Sequence, residues 1–82
     1  MNNDKSILIV KDYGRVNLKL KDIIDERGIT RNALANLVDT RFEVIDKWYN
    51  NKVERLDLDV MARICYVLEC KPSDIIEYNI HK

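Results

Sequence analysis

The segment from Gly28 to Asn51 constrains the fold of this chain more than any other stretch. Thr30 is a residue type that caps helix N-termini, and apolar residues then recur at helical spacing as far as Val38. Two polar residues interrupt the pattern, and a second helical pattern follows with Ile45 and Trp48 on its apolar side. The segment therefore predicts two short helices joined by a tight turn and packed against each other.

The second helix of this pair is predicted over about residues 41–49, with Phe42, Glu43, Asp46 and Lys47 on its outward face. Ala35 lies where the two helices would cross, and its small side chain would let them approach closely at a steep angle. Two helices arranged in this way form a helix-turn-helix motif, whose second helix enters the major groove of DNA.

The composition favours one small helical domain. The chain has 82 residues, of which 46% are hydrophobic, with only two glycines and one proline. This content supports a single compact core and disfavours a turn-rich β-sandwich. No apolar run approaches the ~18 residues of a membrane span, and the N-terminus lacks the apolar region of a signal peptide. We therefore expect a cytoplasmic protein that does not bind membranes.

The charge balance is unusual for a protein that binds nucleic acid. The formal net charge is zero, and residues 27–55 carry six basic and four acidic side chains, a local charge of +2. Because phosphate contacts supply most non-specific affinity for DNA, affinity would have to come from a few well-placed cations and from dimerisation.

The reactive side chains do not form a recognisable catalytic or metal-binding pattern. Cys65 and Cys70 are accompanied by a single histidine and no paired CxxC motif. A disulfide between them is one reading, and reduced thiols beside a helix are the expected one. No nucleophile–base pair or glycine-rich phosphate loop is present. We therefore predict no enzymatic activity, cofactor, metal site or small-molecule ligand.

Three further helices are predicted around the central pair. The first covers about residues 20–27 and ends at Gly28, which suits a left-handed C-cap. The fourth follows Asp57 as its N-cap and runs to about Glu69, and Pro72 opens a short fifth. The apolar set of the fourth helix is wide enough for two stripes. One contains Leu58, Met61, Ala62, Cys65 and Leu68, and the other contains Val60, Ile64 and Val67. Since one stripe suffices for the core, the other predicts an additional partner.

The two ends of the chain carry β-type patterns. Residues 7–10 and 16–18 predict a small hairpin over about 6–19, although Leu18 onward could instead be helical. The alternation over residues 77–80 predicts a strand that could pair with this hairpin. The fold class is thus all-α: a compact five-helix domain over 16–82 preceded by a partly disordered extension over 1–15 that contains a short strand.

Two sets of residues together resemble the phage repressor and Cro type of helix-turn-helix domain, the XRE-like regulators. The first set is Thr30-Arg31-Asn32-x-Leu34-Ala35, then Ile45 and the loop Asn50-Asn51-Lys52; the second runs from Leu56 to Cys70 and ends in Asp74-Ile-Ile-Glu-Tyr78. The resemblance covers about residues 15 to 80. The chain departs from the family pattern at Asp39 and Asn51, where glycine is common, and in the acidic residues of its second motif helix.

The resemblance implies a set of phosphate contacts around the motif. They would come from polar and basic side chains at the start of the first motif helix, before the second and in the loop after it: Thr30, Arg31, Thr40, Arg41, Asn51, Lys52 and Arg55. The alternative for an arginine such as Arg31 is a solvated side chain.

The outward residues Phe42, Glu43 and Lys47 are the candidates for base-edge contacts. Phe42 could contact a thymine methyl group, and Glu43 could accept a hydrogen bond from cytosine N4. A structural alternative applies to Glu43 and Lys47, because their i, i+4 spacing also suits an ion pair within the helix.

Two functional hypotheses follow. The first is a sequence-specific transcriptional regulator, a repressor, that binds double-stranded DNA as a homodimer. The second is a protein-interaction module of the same fold, antitoxin-like or anti-repressor, with weak or no DNA binding. The zero net charge and the acidic residues of the second motif helix motivate the second hypothesis.

Overall fold

The computed structural model describes residues 5–80. It contains β1 (Arg15–Leu18), α1 (Leu20–Arg27), α2 (Arg31–Leu37), α3 (Phe42–Tyr49), α4 (Leu58–Leu68), α5 (Pro72–Ile75) and β2 (Ile76–Asn79). The predicted five-helix fold with a central helix-turn-helix is confirmed. The expected disorder at the N-terminus falls mainly on residues 1–4, which lie outside the described residues. Within residues 5–80, no helix combines the length and apolar character that a membrane crossing requires.

The helix ends are fixed by local hydrogen bonds of the predicted kinds. The Thr30 hydroxyl oxygen accepts from the Ala33 backbone N–H at 3.0 Å, and the Asp57 carboxylate accepts from the Val60 N–H at 3.2 Å. Each acceptor satisfies an N–H group that has no partner within its own helix. Gly28 ends α1 in the left-handed conformation, with φ = 70°. All three predicted caps are confirmed.

The turn between α2 and α3 is stabilised by a hydrogen bond of its own backbone and by hydrogen bonds from a side chain of α4. Asp39 adopts φ = 55°, which aspartate tolerates better than most residues, and the Thr40 N–H donates to the Ala35 carbonyl at 3.0 Å. The Arg63 guanidinium, which lies on α4, donates to the carbonyls of both Val38 and Asp39 at 3.0 Å. These bonds satisfy the carbonyls of the C-cap and of the residue after it, and they connect α4 to the turn.

The hydrophobic core lies where the five helices meet. Ala35 on α2 and Trp48 on α3 are each only 2% exposed. The largest fully buried side chains come from every helix: Leu20, Ile24, Leu34, Ile45, Ile64, Leu68 and Ile75. The predicted inward positions of the helix-turn-helix are therefore confirmed.

The core takes residues from both predicted stripes of α4. Val60 and Ile64 are buried together with Met61 and Leu68. The remaining apolar residues are divided between half-buried positions and an exposed face. On that face Leu58 is 77% exposed, and Tyr66, about two turns further along α4, is 85% exposed. The division into one core stripe and one partner stripe was wrong, because Leu58 and Ala62 are exposed although they share a stripe with the buried Met61 and Leu68.

The N-terminal and C-terminal strands form one antiparallel sheet. Val16 lies opposite Tyr78, and Leu18 lies opposite Ile76. The predicted pairing between an N-terminal strand and the C-terminal tail is confirmed. The Lys19 N–H, immediately after β1, donates to the carbonyl of residue 75 at the end of α5. This bond places the start of β2 beside the end of β1.

The predicted hairpin over residues 6–19 is wrong, and so is the alternative in which the helix starts at Leu18. The Ser6 carbonyl accepts from the N–H groups of Ile9 and Val10, so this segment forms a turn. Ile7, Ile9 and Val10 are exposed and have no core face to cover. β2 offers Leu18 a partner, Ile76, that itself packs against the core, and this burial favours the long-range pairing.

Gly14 allows the chain to enter β1 beside the end of β2. Its φ is 85°, and a Cβ atom placed there would lie 2.6 Å from the Asn79 carbonyl oxygen. The Tyr78 hydroxyl also donates to the Tyr13 carbonyl at 2.6 Å. Both the left-handed conformation and the close approach require glycine at this position.

We expect Leu34→Ala to lower the free energy of unfolding by about 2–5 kcal/mol, because it leaves a cavity between α2 and α3. Leu37→Ala is the matched control: it lies on the same helix but is 61% exposed, so the change should stay within about 0.5 kcal/mol. Urea denaturation followed by circular dichroism measures both. Equal losses would contradict the packing described for α2.

Candidate nucleic-acid interface

The face of α3 opposite the core presents the residues predicted to contact base edges. Ile45 and Trp48 anchor α3 in the core, whereas Glu43 and Lys47 are exposed. Phe42, at the first turn, is 41% exposed despite its large apolar ring. This orientation follows from helical periodicity, and it creates a mixed apolar and charged surface at the rim of the domain.

Arg31 is held in place by α3. Its Nη1 donates to the Asp46 carboxylate at 2.6 Å, which forms an ion pair between α2 and α3. Its guanidinium carbon also lies 4.7 Å from the centroid of the Tyr49 ring and 5.6 Å from that of Phe42. These distances are within the range of cation–π contacts. Arg31 is therefore not simply solvated, but 41% of its side chain remains exposed, and its contact with phosphate stays a prediction.

A second polar contact continues from Tyr49 to α1. The Tyr49 hydroxyl donates to the Asp25 carboxylate at 2.9 Å, and the Lys21 ammonium donates to the same carboxylate at 3.0 Å. The hydrogen bond from Lys21, followed by that from Tyr49, lowers the pKa of Asp25 below its ordinary value. The hydrogen bond with Asp25 correspondingly raises the pKa of Lys21. These contacts connect the end of α3 to the surface of α1.

The ion pair expected within α3 is absent. Among residues 5–80 no salt bridge joins Glu43 to Lys47, although their spacing would allow one. The acidic side chain of α3 that does find partners is Asp46, which receives hydrogen bonds from Arg31 and from the Asn50 amide at 3.1 Å. Glu43 and Lys47 therefore remain available at the surface.

The loop after α3 is fastened to β1. Asn51 adopts φ = 58°, and its side-chain oxygen accepts from the Leu18 N–H at 2.9 Å. Its side-chain nitrogen donates to the Asn17 side-chain oxygen at 3.0 Å. The side chain predicted to contact phosphate thus holds two segments of the domain together. The two basic residues of the same loop, Lys52 and Arg55, are exposed.

The other predicted phosphate contacts lie around the start of α2 and α3. Arg41 immediately precedes α3 and is exposed, while Thr40 is half-buried in the turn. The hydroxyl oxygen of Thr30 caps α2. One cation counted in the local charge faces elsewhere: the Arg27 guanidinium donates to the Leu68 carbonyl at the end of α4. The exposed cations near α3 are therefore fewer than the sequence count suggests.

Sequence reasoning missed the group formed by Arg31, Asp46, Tyr49 and Asp25. Helical spacing places Asp46 on the outward side of α3 and identifies no partner for Asp46 or Tyr49. Arg31 and Asp46 are 15 positions apart on different helices, so no i, i+4 rule identifies the pair. The sequence contained only a weak indication of this pair. An arginine begins the first motif helix, and an acidic residue lies in the second motif helix, which was expected to pack against the first.

The chain is similar to known helix-turn-helix proteins. The sequence model of one family, the Cro/C1-type HTH DNA-binding domain, matches residues 19–80. A protein from Bacteroides fragilis, assigned provisionally to the DNA-binding proteins, superposes with a TM-score of 0.67 at 22% identity, covering 77% of this chain and all of that one. The transcriptional regulator VanUg superposes with a TM-score of 0.67 at 27% identity, covering 88% of this chain and 96% of that one. A search of curated proteins finds no match.

We expect Lys21→Met to raise the pKa of Asp25, because it removes the largest contribution that lowers it. Tyr49→Phe should raise it by a smaller amount, and Tyr66→Phe, on the exposed face of α4, serves as the control. Carboxyl ¹³C NMR between about pH 2 and 6 measures each value.

The lowered pKa of Asp25 also determines how this group makes the stability of the fold depend on pH. A carboxylate whose pKa is lower in the folded state stabilises the fold above its unfolded pKa, and this contribution is lost as the pH falls through the folded value. An unchanged pKa of Asp25 in Tyr49→Phe would contradict the α1–α3 contact, and an unchanged pKa in Lys21→Met would contradict the ion pair within α1.

Proposed function

The chain belongs to the Cro/C1-type helix-turn-helix DNA-binding domains, and we propose that it is a sequence-specific transcriptional repressor that binds double-stranded DNA as a homodimer. Repression would follow from occupancy of a promoter. The observation that carries the proposal is the exposed face of α3, which is flanked at both ends by exposed basic side chains.

In the proposed complex α3 lies in the major groove. Phe42, Glu43 and Lys47 would meet base edges, with Phe42 on a thymine methyl group and Glu43 on cytosine N4. Support comes from the exposure of all three side chains and from the absence of a Glu43–Lys47 pair among the described residues. Their polar groups therefore do not have to break an ion pair within α3 before they contact a base.

The proposed phosphate contacts lie before and after α3. Arg41 precedes the helix, Lys52 and Arg55 follow it, and within residues 5–80 none of the three forms an ion pair. A cation without a partner in the protein can neutralise a phosphate without first losing another contact. In the sequence-specific complex the contacts would extend to the remaining polar groups around the motif: Thr30, Arg31, Thr40 and Asn51.

Dimerisation is proposed because one copy offers few phosphate contacts and carries no net charge. Two copies related by a two-fold axis would place their α3 helices about 34 Å apart, which matches half-sites separated by one turn of DNA. The exposed apolar residues Leu58 and Tyr66 on α4 and the terminal strands both offer surfaces for this contact.

The second candidate function is a protein-interaction module. The observation that favours it is the pairing of Arg31 with Asp46, which offsets the charge of one cation beside α3. A module of this kind would keep the exposed face of α3 for a protein partner and would bind DNA weakly or not at all.

We expect the protein to bind duplex DNA with a logarithmic affinity that falls steeply as the logarithm of the salt concentration rises. Arg41→Ala should flatten this slope by about 0.9, the value for one phosphate contact. Lys71→Ala, in the exposed loop before α5 and outside the proposed interface, should leave the slope unchanged. Fluorescence anisotropy with a labelled duplex provides the measurement, and salt-independent or undetectable binding would favour the protein-interaction module.

A further inference from the structure

The Arg31–Asp46 pair has a consequence for DNA binding beyond the loss of one free cation. Resting on the proposed DNA-binding function, we propose that Asp46 regulates the phosphate contact of Arg31: it holds Arg31 away from the backbone of arbitrary DNA and releases it only when base-edge contacts seat α3 fully in the groove. Asp46 is thus a specificity-determining residue that need not contact a base itself.

The first argument is the geometry of the pair. Arg31 Nη1 and an Asp46 carboxylate oxygen are 2.6 Å apart, which is a short, charge-assisted hydrogen bond. The rings of Phe42 and Tyr49 lie within cation–π distance of the same guanidinium, so it is held by three side chains of α3. A phosphate that approaches Arg31 must share the guanidinium with Asp46 or replace it.

The second argument is the position of Asp46. It lies on α3 between Phe42 and Lys47, so every docking of this helix brings its carboxylate towards the DNA. Both members of the pair are partly exposed, with 41% of the Arg31 side chain and 38% of the Asp46 side chain accessible. Repulsion between this carboxylate and the backbone phosphates therefore opposes loose, purely electrostatic binding.

The third argument is the charge of the whole molecule. With a net charge of zero, the chain has no excess of cations to compensate for a paired arginine. Non-specific binding depends almost entirely on phosphate contacts, whereas specific binding adds contacts to base edges. Pairing of Arg31 with Asp46 therefore weakens the non-specific complex directly. In the specific complex, base contacts can offset the free-energy cost of replacing Asp46 by a phosphate as the partner of Arg31.

The test is a double-mutant cycle on a duplex of random sequence. Asp46→Asn keeps the size of the side chain and removes its charge, so we expect binding to tighten by about fivefold at low salt, the scale of one exposed ion pair. The slope of logarithmic affinity against logarithmic salt should steepen by about 0.9, since Arg31 gains a phosphate. Arg31→Ala alone should leave the random-sequence slope unchanged, and in the Asp46→Asn background it should abolish the gain.

A charge-matched control separates this coupling from a general change in net charge. Glu26→Gln removes one carboxylate from the exposed surface of α1, outside the proposed interface, and should change binding much less. Wild-type binding with no change in Asp46→Asn, or an equal gain when Arg31 is absent, would overturn the regulatory role while leaving the DNA-binding function intact. Binding by Asp46→Asn but not by the wild type would support it, and binding by neither would overturn both proposals.

A measurement on the free protein tests the pair without DNA. In the wild type, NMR should detect a guanidinium of Arg31 with slowed rotation about its Nε–Cζ bond, because Asp46 and the two rings restrain it. Asp46→Asn should speed this rotation, because only the two rings then restrain the guanidinium, with little change in the thermal midpoint. A freely rotating Arg31 in the wild type would contradict the proposal.

Discussion

The close packing of α2 against α3 is the constraint on which the rest of the structure depends. Leu34 and Ile45 are fully buried at this contact, and Ala35 is almost as buried. The small side chain of Ala35 permits the approach, and the left-handed turn at Asp39 directs the chain into it. Because this packing decides which side of α3 is covered, it also decides which side is presented to a partner. Arg63 strengthens the same arrangement from α4 by bonding the carbonyls of the turn.

Ion pairs within the domain decide which charged side chains remain free to interact with a ligand. The chain carries 14 basic and 14 acidic residues, so each pairing inside the molecule changes what is left for a ligand. Arg31 is paired with Asp46, and Arg27 caps the end of α4, whereas Arg41, Lys52 and Arg55 form no ion pair among the described residues. The distribution of these pairs, more than the total charge, therefore decides how the surface around α3 can interact with a polyanion.

Features that depend on a few neighbouring residues could be predicted from the sequence. Thr30 and Asp57 cap their helices because a short oxygen-bearing side chain reaches N–H groups two or three positions on. The outward face of α3 follows from helical spacing in the same way. The hairpin was wrong although residues 7–10 have a β-type composition, because strand pairing needs a partner and a buried face. Leu18 finds both in Ile76, which lies 58 positions away.

The sequence by itself determined the helices, their caps and the residues that α3 exposes, since each depends on local sterics and on hydrogen bonds between near neighbours. Only the tertiary structure decided that Arg31 meets Asp46, that Asn51 binds β1 and that β1 pairs with β2 without forming the predicted hairpin. These contacts join residues that are distant in the chain. They form because packing of the helices brings particular side chains within bonding distance, and a linear pattern of residue types does not encode that distance.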